Sequence, residues 1–137
     1  MNKNNNNTNK SHILKVFISQ LKQFFKEIIE ILPKEDDIKS LNTVILTFSK
    51  YNPLKLIEIW NYYIAIPYLD FIIKGDFKYF ENKNFTNDLK DLNENAAYVL
   101  QSYNKMRLSI SKLNKEKKNT AMKNIQILTK LSITYFQ

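Results

Sequence analysis

No cysteine occurs in the 137 residues, glycine and histidine occur once each, and proline three times. Without thiols there are no disulfides, no thiolate nucleophiles and no zinc sites built on sulfur. One glycine cannot make a phosphate-cradling loop, and so few turn formers argue against the many tight reversals of an all-β fold. Arg107 is the single arginine among 21 basic residues. Also missing is an apolar run at the start: residues 1–10 read MNKNNNNTNK, so a secretory signal is not expected. This segment reads as a disordered Asn-rich tail, with 11–137 as a single helical domain. The longest apolar stretch, Leu56 to Ile73, is broken by Glu58, Asn61, Pro67 and Asp70. A carboxylate at bilayer depth costs about 2.5–3.5 kcal/mol even on lenient scales, so a buried soluble segment is expected there and no transmembrane helix. An intracellular, reducing compartment fits these absences.

What is present is bulk. Nine Phe, eight Tyr and one Trp supply large side chains for a core, and apolar residues recur at helical steps. The spacing predicts an all-α bundle of about five helices. The first runs from a Ser11 cap to Pro33, with Val16 or Phe17, Leu21, Phe24, Ile28 and Ile31 on one stripe. Glu35, Asp36 and Asp37 open the second, whose stripe is Ile38, Leu41, Ile45 and Phe48. Asn52-Pro53 starts the third, apolar nearly all round and therefore expected as a central buried helix near 53–66. Pro67 predicts a kink or restart, and Gly75 a stop. After an aromatic connection at 76–85, Thr86 is expected to cap a long amphipathic helix near 87–113. Its stripe is Leu89, Leu92, Ala96, Val99, Tyr103, Met106, Ile110 and Leu113. Asn114 to Lys118 reads as a charged turn, and Asn119 or Thr120 as the cap of a last helix ending near Tyr135.

The formal charge of +8 is unevenly spread. Residues 11–100 hold eleven lysines against twelve carboxylates, whereas 101–137 hold eight basic residues against Glu116 alone. Lys105, Arg107, Lys112, Lys115, Lys117, Lys118 and Lys123 therefore form the candidate nucleic-acid surface, joined by Lys130; clustered cations attract polyanions by counterion release. With a single arginine among them, the same residues read more readily as a solvated hairpin written in A/T-rich codons. A lone arginine, with no zinc finger, helix-turn-helix or stacking signature, argues against base-specific reading.

Chemistry has little to work with. His12 sits at a helix start without a partner, and Glu35-Asp36-Asp37 point in different directions, as a cap rather than a metal site. Asp70, in an apolar stretch, is expected to be buried with a structural partner; with Glu58, Asp76 and a tyrosine it is the only set an enzyme could use. No cofactor, metal or small-molecule substrate is expected, and the chain reads as non-enzymatic. Tyr98, Leu100 and Leu108 fall off the long stripe and are the candidate protein-binding residues, for a partner or a second copy.

The pattern YNP at Tyr51, then Trp60, Pro67-Tyr68, Gly75-Asp76, Phe77 and Phe80, resembles small uncharacterised proteins of large nucleocytoplasmic DNA viruses. The closing IQILTKLSITY, Ile125 to Tyr135, resembles their ends as well. The resemblance spans roughly residues 32–136 and implies a viral origin, in host cytoplasm or virion, and no particular activity. The expected function is a structural or accessory protein acting through protein–protein contacts. The alternative is sequence-independent binding of DNA or other nucleic acid through the basic C-terminal hairpin.

Overall fold

A computed structural model describes residues 2–78 and 92–137, with side chains from residue 8 onward. Helices α1 (Asn2–Ile31), α2 (Asp36–Tyr51), α3 (Pro53–Trp60), α4 (Ile66–Lys74), α5 (Glu94–Ser111) and α6 (Lys115–Tyr135) follow in chain order, and a π-turn, Asn61–Ala65, fuses α3 and α4 into one rod. The five rods form a compact all-α fold, with no strand among the described residues.

Helix α1 buries Phe17, Leu21, Phe24 and Ile28, and leaves Val16 largely in water. It begins at Asn2 rather than at Ser11, so the segment expected as a disordered tail forms its first turns. Once the packed part of α1 has nucleated, each further residue adds a hydrogen bond without a new nucleation cost. Pro33 ends it, after Leu32 donates its amide to the Ile28 carbonyl. Ile38, Leu41 and Ile45 seat α2 on the core. Asn52 closes α2 through its backbone N–H, and its side chain makes no cap bond to α3. Pro53 supplies the start of α3 by its fixed φ.

Proline also explains the π-turn. Pro67 has no N–H to give the Tyr63 carbonyl and its ring crowds that carbonyl. The turn before it widens, Ile66 N–H reaches back to the Asn61 carbonyl, and the kink is taken up at Tyr68 (φ −118°, ψ 19°). Gly75 (φ 69°) then ends α4, with the Asp76 N–H on the Phe71 carbonyl at 2.9 Å and the Gly75 N–H on that of Ile72 at 3.0 Å. The nearest atoms to a Cβ built on Gly75 are 3.8 Å away, on Gln126 and Met122, so space is not the constraint. Gly75→Ala is therefore expected to cost about 1–2 kcal/mol through the left-handed φ alone, with Gly75→Asn costing less. Urea midpoints of the two variants test this, and equal midpoints for all three chains would refute it.

Trp60 stands where the rods meet. It is 2% exposed, and its ring meets Phe17 of α1 edge-on at 6.2 Å and Tyr103 of α5 at 5.2 Å. Its Nε1–H donates to Thr129 Oγ1 of α6 at 3.1 Å. The rod is not covered all round, however: Leu54, Tyr62, Ile66 and Ile73 are exposed. By length and composition Pro53–Lys74 could cross a membrane, but half of its apolar window is buried inside the fold, as in any core helix.

The long helix starts later than its stripe predicts. Thr86 and Leu89 lie outside the described residues, as do Tyr79, Phe80 and Phe85; α5 starts at Glu94, behind Asn93, whose Oδ1 accepts the Ala96 N–H at 2.9 Å. Similarly, Asn114 rather than Asn119 or Thr120 caps α6, accepting the Lys117 N–H at 2.9 Å. The expected charged turn is thus the first turn of α6, and only Lys112, Leu113 and Asn114 join the two helices.

Candidate interaction surfaces

The basic hairpin is only partly the surface the sequence implies. Lys105, Lys112, Lys115, Lys117 and Lys123 are exposed, and Lys118 is half-buried with its Nζ over the Phe77 ring at 6.0 Å. Lys112 is held by Glu35 of α2 at 3.0 Å. Arg107 does not belong to this surface. It is 8% exposed, and its Nε and terminal guanidinium nitrogen donate to Asn104 Oδ1 at 3.1 and 2.9 Å. Burial pulls its pKa below the ordinary guanidinium value. What the fold does gather is Lys115, Lys117 and Lys118, all in the first turn of α6, with Lys112 just before the cap.

The three candidate apolar residues divide in the same way. Tyr98 and Leu108 are exposed on α5, whereas Leu100 has no exposed surface at all. α5 packs against several rods at once, so its buried arc is wider than one stripe and takes in both Leu100 and Arg107.

A second exposed apolar row was not singled out from the sequence. Tyr62, Ile66 and Ile73 stand in water along the α3–α4 rod, and Leu69 is half-buried between them. Tyr62 lies in the π-turn, and Ile66, Leu69 and Ile73 follow it in α4 on either side of the kink at Tyr68. Their spacing was readable, but reading the segment as apolar all round concealed it. Phe136, just past the end of α6, extends the row at Tyr62, ring to ring at 5.5 Å.

The carboxylates do not assemble. Glu58 pairs with Lys55 at 3.5 Å, while Asp70 is exposed, contrary to the burial its apolar context suggests, and so is Asp76. Asp70 lies on the solvent side of α4, where an ion is cheap to keep. No group of three or more His, Asp or Glu among the described residues is placed to hold a metal. Buried polar groups serve the packing instead. Asn124 of α6 accepts from Gln20 and donates to Glu27, both of α1, and Tyr103 O–H donates to the Leu56 carbonyl at 3.0 Å. Burial pushes the Tyr103 phenol far above its usual range, so the neutral form is the one that fits. The cavity among Trp60, Ile64, Met106 and Ile110 measures about 30 Å³, a gap on the scale of a water or two.

Compared with known proteins, the chain matches no family model, no curated protein and no solved structure.

Proposed function

We propose that this chain is a non-enzymatic binding protein, a structural or accessory component that works through protein–protein contacts on the outer faces of its bundle. The observation that carries this reading is the row Tyr62, Ile66 and Ile73, the last 67% exposed, with Tyr98 and Leu108 on α5 as a second site. Large apolar side chains aligned in water mark contact surfaces more often than chance scatter does. The viral setting and an intracellular place of action rest on the resemblance at Tyr51–Phe85 and on the composition. Cross-linking capture from the cells that make the chain tests the reading, with Ile73→Glu and Tyr98→Glu as folded controls. A protein captured by the parent and lost with either variant is the expected result; identical capture by all three chains overturns it.

A second reading, sequence-independent nucleic-acid binding, is favoured by one feature of α6. Lys115, Lys117 and Lys118 crowd the helix end whose dipole is positive, with Glu116 the acidic residue of that turn. Cations there are repelled by the dipole, and a polyanion would relieve the repulsion. Three phosphate contacts give a slope of log K against log salt of about −2.7 for duplex DNA. Replacing the three lysines with alanine is expected to flatten that slope towards zero. Anisotropy titrations measure it, and no salt-sensitive binding at about 50 mM NaCl rules the reading out.

A further inference from the structure

Between α4 and α6 lies a groove that no other described residue fills. Ile72 and Thr129 form the floor, both buried, and Leu69 and Ile73 stand on the α4 side, with Gln126 and Lys130 on the α6 side. The groove measures about 430 Å³. Two of its polar atoms are engaged within the bundle: Gln126 Nε2 donates to the Ile72 carbonyl at 2.8 Å, and Thr129 Oγ1 accepts from Trp60. An occupant would meet Leu69 and Ile73 with apolar side chains.

Charge narrows the choice of occupant. On α6, Lys130 lines the groove and Lys123 lies two turns before it, both exposed. On α4, Asp70 and Lys74 stand one turn apart and offset one another. Among the described residues the rim is therefore basic on one side and neutral on the other. A second copy of the chain brings +8 against +8, which opposes self-association.

We propose that this groove receives an amphipathic helix of a partner protein, apolar residues toward Leu69 and Ile73 and a row of carboxylates toward Lys123 and Lys130. The inference rests on the protein-binding reading and gives it a partner chemistry.

A fluorescein-labelled designed helix with leucines on one face and glutamates on one flank is the probe; its counterpart carries lysines on that flank. The glutamate peptide is expected to bind the full chain about tenfold more tightly than the lysine peptide. Ile73→Glu should weaken it by about tenfold or more, and the double variant K123E/K130E should reverse the preference. Equal binding of the two peptides, or undiminished binding by Ile73→Glu, overturns the proposal. Circular dichroism verifies each fold, and the charge-reversed variant decides the matter should Ile73→Glu not fold. Vesicles of neutral and anionic phospholipid that bind in place of the peptide overturn it in favour of a membrane surface. A sedimenting dimer broken by Ile73→Glu overturns it in favour of a second copy. If the peptides fail while cellular capture still depends on Ile73, the acidic helix is wrong and the protein-binding reading stands; if both fail, both fall.

Discussion

Leu100→Glu is expected to leave the chain largely unfolded at neutral pH, while Leu108→Glu, on the same helix, changes stability by less than about 0.5 kcal/mol. The two leucines are alike in the sequence, both off the principal stripe of α5. In the fold Leu100 is 0% exposed and Leu108 45%. A carboxylate forced into the Leu100 position loses its water and gains no cation built to meet it. The cost of burying an unpaired ion is several kcal/mol, a large part of the ~5–15 kcal/mol that holds a domain together. The sign of the pH dependence follows. Burial raises the introduced carboxyl's pKa above its unfolded value near 4.3, so the deficit is smallest in acid and grows as pH rises through the carboxylate range. Urea titrations near pH 4 and pH 7 measure both effects. Equal stability of the two variants would show that α5 is turned differently from the arrangement described above.

Trp60→Ala is the second large expectation, at about 3–5 kcal/mol, or roughly 10–20 °C in melting temperature for a chain of this size. The indole is in contact with α1, α5 and α6 together, through Phe17, Tyr103 and Thr129. Removing it opens a cavity between helices that cannot easily close, because the π-turn beginning at the next residue already fixes the path of the rod. Trp60→Phe separates the two contributions. It keeps an aromatic ring against Phe17 and Tyr103 but leaves Thr129 Oγ1 without its donor, so about 1–2 kcal/mol is expected. A thermal melt in which Trp60→Ala falls by only a few degrees would remove Trp60 from the centre of the molecule.

The helical class and several boundaries were legible because they depend on residues with few conformational options. Pro33 and Pro53 sit at helix boundaries through their fixed φ, and Gly75 takes the left-handed turn that other residues avoid. The starts of α5 and α6 were not legible for the opposite reason. Asparagine and threonine are abundant in this chain, so Asn93, Asn114, Asn119 and Thr120 all look like caps, and of these Asn93 and Asn114 accept the cap bonds. Arg107 and Leu100 were misplaced for a related reason. Sequence spacing assumes one buried stripe, whereas α5 is wedged among several neighbours, and the arginine is taken inside with Asn104 as its acceptor. Least legible of all were long-range bonds such as Gln20 to Asn124, since nothing local in either helix announces its partner. For the candidate surfaces, Lys115, Lys117 and Lys118 share the first turn of α6 because they are neighbours in sequence. The Tyr62–Ile73 row was hidden inside a segment whose hydropathy alone suggested complete burial.

Helix α1 lies most extensively against α6, the first helix against the last. A ribosome adding about 5–20 residues per second therefore completes α1 roughly 5–20 s before the helix that covers it exists. Throughout that interval the Phe17, Leu21 and Phe24 face has no native cover from α6. Vectorial synthesis thus cannot seal this face of α1 early: a message truncated before Lys115 yields a chain in which α1 can pack on α2 and α3 but lacks its most extensive neighbour.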